Sequence, residues 1–341
     1  MNESGAAGDP GGIGGNDVKR KSLKIPPIWI AVLLLYVLAC ILSPNMFSWN
    51  QIKNLLKISA FLGTVALGQT FSILVGGIDL SVAGVITASN IICCMTMSYG
   101  YGSTVLGLLL PIALGVVVGL IKGVIITRIK ILPMIVTLAL NNVIFGLALV
   151  LTGGVSTGRV SPGFAAMGDG ALLNILPWTF IIFMVCAGIL LFVQKKTRMG
   201  REIFAVGANS RSAYIAGINS DATIIKAHVI CSVMAAVSGL LLSAYINLPS
   251  FDLGDPYATD SIAATVIGGT LMSGGVGGIG GTIGGAIFMT ILNSLLNVLR
   301  MSMGPQYVIK GVIIVVGLVT TSATLRNAIK AWFAGVKKAR A

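Results

Sequence analysis

Gln194–Ala222 reads QKKTRMGREIFAVGANSRSAYIAGINSDA, a basic, polar island between two long apolar runs. It carries Lys195, Lys196, Arg198, Arg201 and Arg211 against only Glu202 and Asp221. The island makes sense only if the flanking runs lie in a membrane and the island lies outside it. A connection this long is usually folded and functional rather than slack. Asn209 or Ser210 is a suitable N-cap, Ala213 to Ala216 favour a short helix, and Gly217 supplies a left-handed stop. Two readings follow: a short helix presented to another protein, or a solvated basic loop with a helical turn.

Composition sets the wider frame. Of 341 residues, 55% are hydrophobic and 10% charged, and the mean hydropathy is +0.96. Soluble domains carry roughly a quarter charged residues, so the chain is an all-α polytopic membrane protein. The net charge of +13 then belongs to the positive-inside rule rather than to nucleic-acid binding. Cys40, Cys93, Cys94, Cys186 and Cys231 all sit in apolar runs, which is no disulfide framework and no spaced metal set. The single histidine, His228, makes no His-rich metal site. Residues 1–24 are Gly-rich, then basic, and are expected to be a disordered cytoplasmic N-terminus. The apolar run that follows has no small-residue cleavage site and reads as a first spanning helix.

A spanning helix needs about 20 apolar residues. On that measure the sequence predicts about ten crossings within a single membrane domain, residues 25–325. They start near Ile28, Ile52, Leu80, Thr104, Pro133, Ile175, Thr223, Asp260, Gly277 and Tyr307. The second is expected to end at Val75, the eighth at Ser273, and residues 326–341 to form a basic cytoplasmic tail. Only Lys53, Lys57, Arg159, Arg300 and Lys310 then fall outside; all other Lys and Arg, Lys122 among them, fall inside. That asymmetry places both termini and the 194–222 loop in the cytoplasm. Asp79-Leu80-Ser81 with Val85-Ile86 is echoed by Asp260-Ser261-Ile262 with Val266-Ile267, and Arg128…Pro133 by Arg300…Pro305. Two inverted repeats, crossings two to five and seven to ten, would account for the echo.

Gly76-Gly77-Ile78-Asp79-Leu80-Ser81 interrupts an apolar stretch with a carboxylate. An acid at membrane depth marks a site by default, and non-helical backbone there must be covered by protein or line a cavity. Asp79 either caps the third helix or lines a path, and the two are compatible. The glycine run 274–285 contains a G-x-G-x-x-G spelling, but no strand precedes it, so it is not a dinucleotide site. Gly280/Gly284 and Gly281/Gly285 have the spacing of close helix packing. No Walker A sequence occurs, so the chain is not expected to hydrolyse ATP itself or to hold a cofactor. Neither H-E-x-x-H nor G-x-S-x-G occurs, which argues against an enzyme. Gln69, Asn90, Asn141 and Asn293 are uncharged amides within crossings. They suit hydrogen bonds to a neutral hydroxylated solute, or serve as glue between helices.

Four stretches carry a family resemblance: GQTFSILVGGIDLSVAGVI (68–86), TRMGREIFAVGANSRSAYIAGI (197–218), ATDSIAATVIGGTLMSGGVGGIGGTIGGAIF (258–288) and QYVIKGVIIV (306–315). The chain resembles the permease subunits of ribose-type ATP-binding-cassette importers. The resemblance implies import of a monosaccharide across the bacterial cytoplasmic membrane and a fold similar to the vitamin B12 importer permease. It also implies a second permease copy, a cytoplasmic ATPase and an extracytoplasmic sugar-binding protein as partners. The family's ATPase-docking loop maps onto Arg198, Gly200, Arg201, Gly207, Asn209, Arg211, Ala213, Tyr214 and Gly217. Path or helix-break candidates are Gln69, Gly76, Gly77, Asp79, Ser81, Asn90, Asn141, Asn293 and Asp260. The chain departs from the family at Ala258-Thr259, where members often have an acid and Leu, and at Ser210-Arg211, where many have an acid. Rival readings are a permease for nucleosides or another small polar solute, and a stand-alone secondary carrier. The carrier would need an ion-coupling carboxylate within a crossing, whereas the acids here are expected at helix ends.

Overall fold

The computed structural model describes residues 27–98, 101–155 and 157–321; the expected N-terminal segment and C-terminal tail lie outside them. The chain runs α1 (Pro27–Leu42), a 3-10 turn (Pro44–Phe47), α2 (Trp49–Leu74), α3 (Val82–Met97), α4 (Tyr101–Ile129), α5 (Pro133–Thr152) and α6 (Pro162–Asp169). A two-residue antiparallel pair follows, β1 (Ala171–Leu172) and β2 (Leu176–Pro177). Then come α7 (Trp178–Lys196), α8 (Arg198–Ala208), α9 (Ser210–Ile215), α10 (Ser220–Ile246), α11 (Asp255–Ile267), α12 (Ile279–Val298) and α13 (Met303–Thr321). Local chemistry sets many of these ends. Ser48 caps α2 by accepting from the Gln51 N–H at 3.3 Å, Pro133 opens α5, and Gly153 closes it at φ 63°.

Among the described residues, six helices are long and apolar enough to cross a membrane: α2, α4, α5, α7, α10 and α12. α1, α3 and residues Met303–Gly317 of α13 are shorter apolar helices. Burial sorts them into two classes. The most apolar part of α2 is 83% buried, against 22% for α5. α2 and α10 therefore form the centre, while α5 turns Leu138, Leu147 and Val150 outward. Without water to drive helices together, close approach rests on small residues. Gly115, Gly119 and Gly123 make such a seam on α4. A Cβ at these positions would lie 2.8, 2.5 and 2.9 Å from backbone atoms of Ser232, Val229 and Ile225 on α10. α10 packs on α2, α3 and α4, and α2 packs in turn on α11 and α12; α3 packs on α5, and α11 on α13.

One expectation needs correction, at α11. α11 starts at Asp255 and ends at Ile267 rather than spanning Asp260 to Ser273, because Gly268 and the left-handed Gly269 (φ 93°) release the chain into a non-helical loop. The polar segment before α7 is not plain loop, since it contains α6 and the strand pair. The glycine spacing on α12 serves two neighbours. A Cβ at Gly281 or Gly285 would collide with the carbonyls of Gly268 and Ala264 on the α11 side, and one at Gly284 would lie 3.0 Å from Ile28 of α1. Gly280 has no neighbour within 4 Å among the described residues.

Gly119→Val places a branched side chain against α10 backbone that no rotamer can avoid. It is expected to cost about 1–3 kcal/mol, read as a lower thermal midpoint of the detergent-solubilised protein. Gly280→Ala should leave that midpoint unchanged, and equal midpoints for the two variants would refute the seam.

Candidate functional site

The break between α2 and α3 is built by glycine and held by side chains from other helices. Gly76 (φ 81°) is left-handed. Its N–H donates to the Ile73 carbonyl at 2.9 Å and the Gly77 N–H to the Ser72 carbonyl at 2.9 Å, which closes α2 with a Schellman motif. The extended residues beyond it need partners for their backbone groups. Thr137 of α5 accepts from the Leu80 N–H at 3.1 Å and donates to the Ile78 carbonyl at 3.2 Å. The Gln69 amide, turned to match, accepts from the Asp79 N–H at 3.1 Å and donates to the Asp79 carbonyl at 3.2 Å.

The Asp79 carboxylate lies fully buried at the centre of this break. Its Oδ1 accepts from the Ser81 hydroxyl at 2.6 Å and the Ser81 N–H at 3.0 Å. Its Oδ2 is ion-paired with Lys122 Nζ of α4, which also donates to Ser81 Oγ at 3.0 Å. His228 of α10 stands behind, with Nδ1 3.8 Å from Asp79 Oδ2 and 3.4 Å from Ser72 Oγ. Asp79 therefore does not cap α3: Ser81 is the N-cap residue and makes no side-chain capping bond. Lys122 is likewise no flanking surface charge; it is completely buried.

The polar island folds onto the same end of the bundle. Thr197 caps α8 by accepting from the Gly200 N–H at 3.2 Å. Ile203 and Val206 face inward, while Arg198 is exposed and pairs with Glu202 at 2.7 Å. Gly207 sits so close to the Leu74 carbonyl that a Cβ would overlap it, and that carbonyl accepts from the Gly275 N–H at 2.9 Å. A Cβ on Gly275 would lie 2.8 Å from Ala208. Gln194, at the end of α7, accepts from the Ile279 N–H at 3.1 Å and so caps α12. One end of α8 thus touches α7, and the other touches both the end of α2 and the 268–278 loop. α9 forms as the sequence predicts. Asn209 accepts from the Ser212 N–H at 2.9 Å, and Gly217 (φ 81°) closes it, with the Ile218 N–H donating to the Ala213 carbonyl at 3.0 Å. Ala213 is buried, and Tyr214 and Ile215 are 73% and 78% exposed. Arg201 and Arg211 are exposed.

Residues 51–318 match the family described as branched-chain amino acid transport system / permease component. The chain belongs to this permease family. It is 36% identical to the ribose import permease of Bacillus subtilis over 85% of this chain and 90% of the relative. The ribose import permease of Haemophilus influenzae is 31% identical over 85% and 90%, and the D-allose transport system permease of Escherichia coli 28% over 87% and 93%. No solved structure matches.

Gln69, Gly76, Gly77, Asp79 and Ser81 are thus gathered in the permease at one break. The other candidates lie elsewhere. Asn90 donates to Ser243 Oγ at 2.9 Å and accepts from the Ser250 N–H at 2.9 Å. Asn141 accepts from the Gly84 N–H at 2.7 Å. Asn293 donates to Asp260 Oδ2 at 2.9 Å, and Lys310 donates to the same oxygen at 3.1 Å. Asp260 lies inside α11 and not at a helix end as expected, with Lys310 as its counter-charge. Lys122, Thr137, His228, Gln194 and Lys310 were not among the site residues the sequence pointed to. Lys122 had a visible signal, since it interrupts the apolar run that becomes α4, and a charge within such a run marks a site by default.

Lys122→Met strands a buried carboxylate and Asp79→Asn strands a buried ammonium. Each is expected to cost about 3–5 kcal/mol, and the double variant to recover most of that loss. A double-mutant cycle on thermal midpoints checks this; additive losses would mean the two groups do not interact.

Proposed function

We propose that this chain is the membrane-spanning subunit of an ATP-driven importer that carries a monosaccharide of the ribose type across the bacterial cytoplasmic membrane. The observation that carries the reading is its likeness, along nearly the whole chain, to permeases named for ribose and D-allose. The L-arabinose transport system permease of Escherichia coli, 28% identical over 89% of this chain, is another relative named for a sugar. A second permease copy, a cytoplasmic ATPase and an extracytoplasmic binding protein complete the importer. ATP is bound by the ATPase.

The domain, residues 25–325, crosses the membrane about ten times with both termini inside, following the Lys and Arg distribution. α2–α5 and α10–α13 are its two inverted repeats, as in the vitamin B12 importer permease. The reciprocal packing supports this: α10 lies on α3 and α4 as α2 lies on α11 and α12. α8 and α9 are the docking element. Tyr214 and Ile215 offer exposed apolar area, and Arg198, Arg201 and Arg211 steer the approach. Force applied there passes through Gly207 to the end of α2 and the 268–278 loop, and through Gln194 to α12.

Tyr214→Ala is expected to weaken co-purification of the ATPase by about tenfold or more, and Arg211→Ala by less. Gly207→Val should retain the ATPase but lose hydrolysis stimulated by the loaded binding protein. Wild-type binding and stimulation in both the Tyr214 and Gly207 variants would remove the docking assignment. Orientation has its own test. Single cysteines at Arg211 and Ser161, in a background lacking the native five, should react with an impermeant thiol reagent from opposite sides; labelling from one side would overturn the topology.

A further inference from the structure

The Asp260–Lys310 pair differs from the Asp79–Lys122 pair in one respect. Asp79 uses both carboxylate oxygens on protein donors. Asp260 receives both of its donors, Asn293 and Lys310, on Oδ2. Beside it lies a cavity of 270 Å³ between α2, α11, α12 and α13, bordered by Tyr257, Asp260, Asn293, Asn297, Tyr307 and Lys310. Asn293 Oδ1 is buried and has no hydrogen-bond partner among the described residues. A buried acceptor of this kind calls for a donor.

We infer that this cavity is a binding subsite for one neutral sugar ring within the permease, an inference that rests on the sugar-importer reading. Four features fit that chemistry. Lys310 balances Asp260, so the site favours neither a cation nor an anion. The available groups, Asp260 Oδ1 and Asn293 Oδ1, are acceptors for hydroxyl donors. Tyr257 and Tyr307 line the cavity and supply aromatic surface beside its polar groups. The volume lies near the lower end for small-molecule sites, roughly 300 Å³, which suits one ring and not two. The subsite is also far from α8. Asn293 lies fourteen residues along α12 from Ile279, or roughly 20 Å at 1.5 Å per residue.

The test uses the complete importer in vesicles, with labelled D-ribose, D-allose and L-arabinose as probes. Asn293→Leu should lower uptake of the sugar the wild type carries by about tenfold through a raised KM, with the complex still assembled. Asn293→Ser should change the ratio of uptake among the three sugars, which a packing role would not do. Should Asn293→Leu fail to assemble, Met303→Cys, at the exposed rim, decides: a bulky impermeant thiol reagent should block uptake by this variant and not by the wild type. Wild-type uptake and selectivity in the Asn293 variants, or unblocked uptake in the modified Met303 variant, would overturn the subsite alone. Competition by L-leucine in place of the sugars would overturn its chemical class. No uptake of any of the three sugars by the wild type would overturn the importer reading and the subsite with it.

Discussion

Backbone that leaves the helix inside a membrane-spanning bundle has no water to satisfy it, and the turn at residues 75–81 lives under that constraint. The molecule meets it with side chains drawn from four helices. Gln69 of α2 and Thr137 of α5 complete the main chain of Ile78, Asp79 and Leu80. Lys122 of α4 and His228 of α10 stand against the carboxylate. The positions of α2, α3, α4, α5 and α10 are therefore fixed relative to one turn. The glycine seam between α4 and α10 makes this possible by bringing Lys122 and His228 to the same depth.

The same end of the bundle carries the polar island, and the two are joined without a flexible intermediary. Gly207 and Gly275 meet the Leu74 carbonyl from two directions, two residues before Gly76, the first glycine of the break. Backbone lies on backbone there, so a displacement of α8 cannot be absorbed by a side chain changing rotamer. The residues that make the island look like a binding loop in sequence, its arginines, lie outermost. The residues that connect it to the rest of the fold are glycines, which show nothing of this in composition.

Much of the fold was legible because apolar length is a strong signal. The starts of α2, α5, α10 and α12 lie within a few residues of expectation, and α9 formed with the predicted cap and stop. α8 was not legible as a separate helix, since its register emerges only when Ile203 and Val206 find the ends of the spanning helices. The end of α11 was misplaced because apolarity continues past Ile267 while the backbone does not. At the candidate site, the glycines and Asp79 stood out by type. Their partners were not legible as partners: Lys122 interrupts the apolar run that becomes α4, but its type alone does not say whether it faces lipid headgroups or a carboxylate. Lys122 lies 43 residues from Asp79, and nothing local links the two.

That separation has a consequence for biogenesis. A ribosome adding 5–20 residues per second needs roughly 2–9 s to make the chain between the acid and its counter-ion. During that interval α2 and α3 have been synthesised while the carboxylate between them has no ammonium to meet. Desolvating it then is costly, so the turn is expected to stay at the aqueous boundary, or inside the insertion machinery, until α4 arrives. His228 is made later still, with α10. The turn that holds Asp79 thus reaches its final depth only after α4 has been made, and the order of synthesis is not the order of burial.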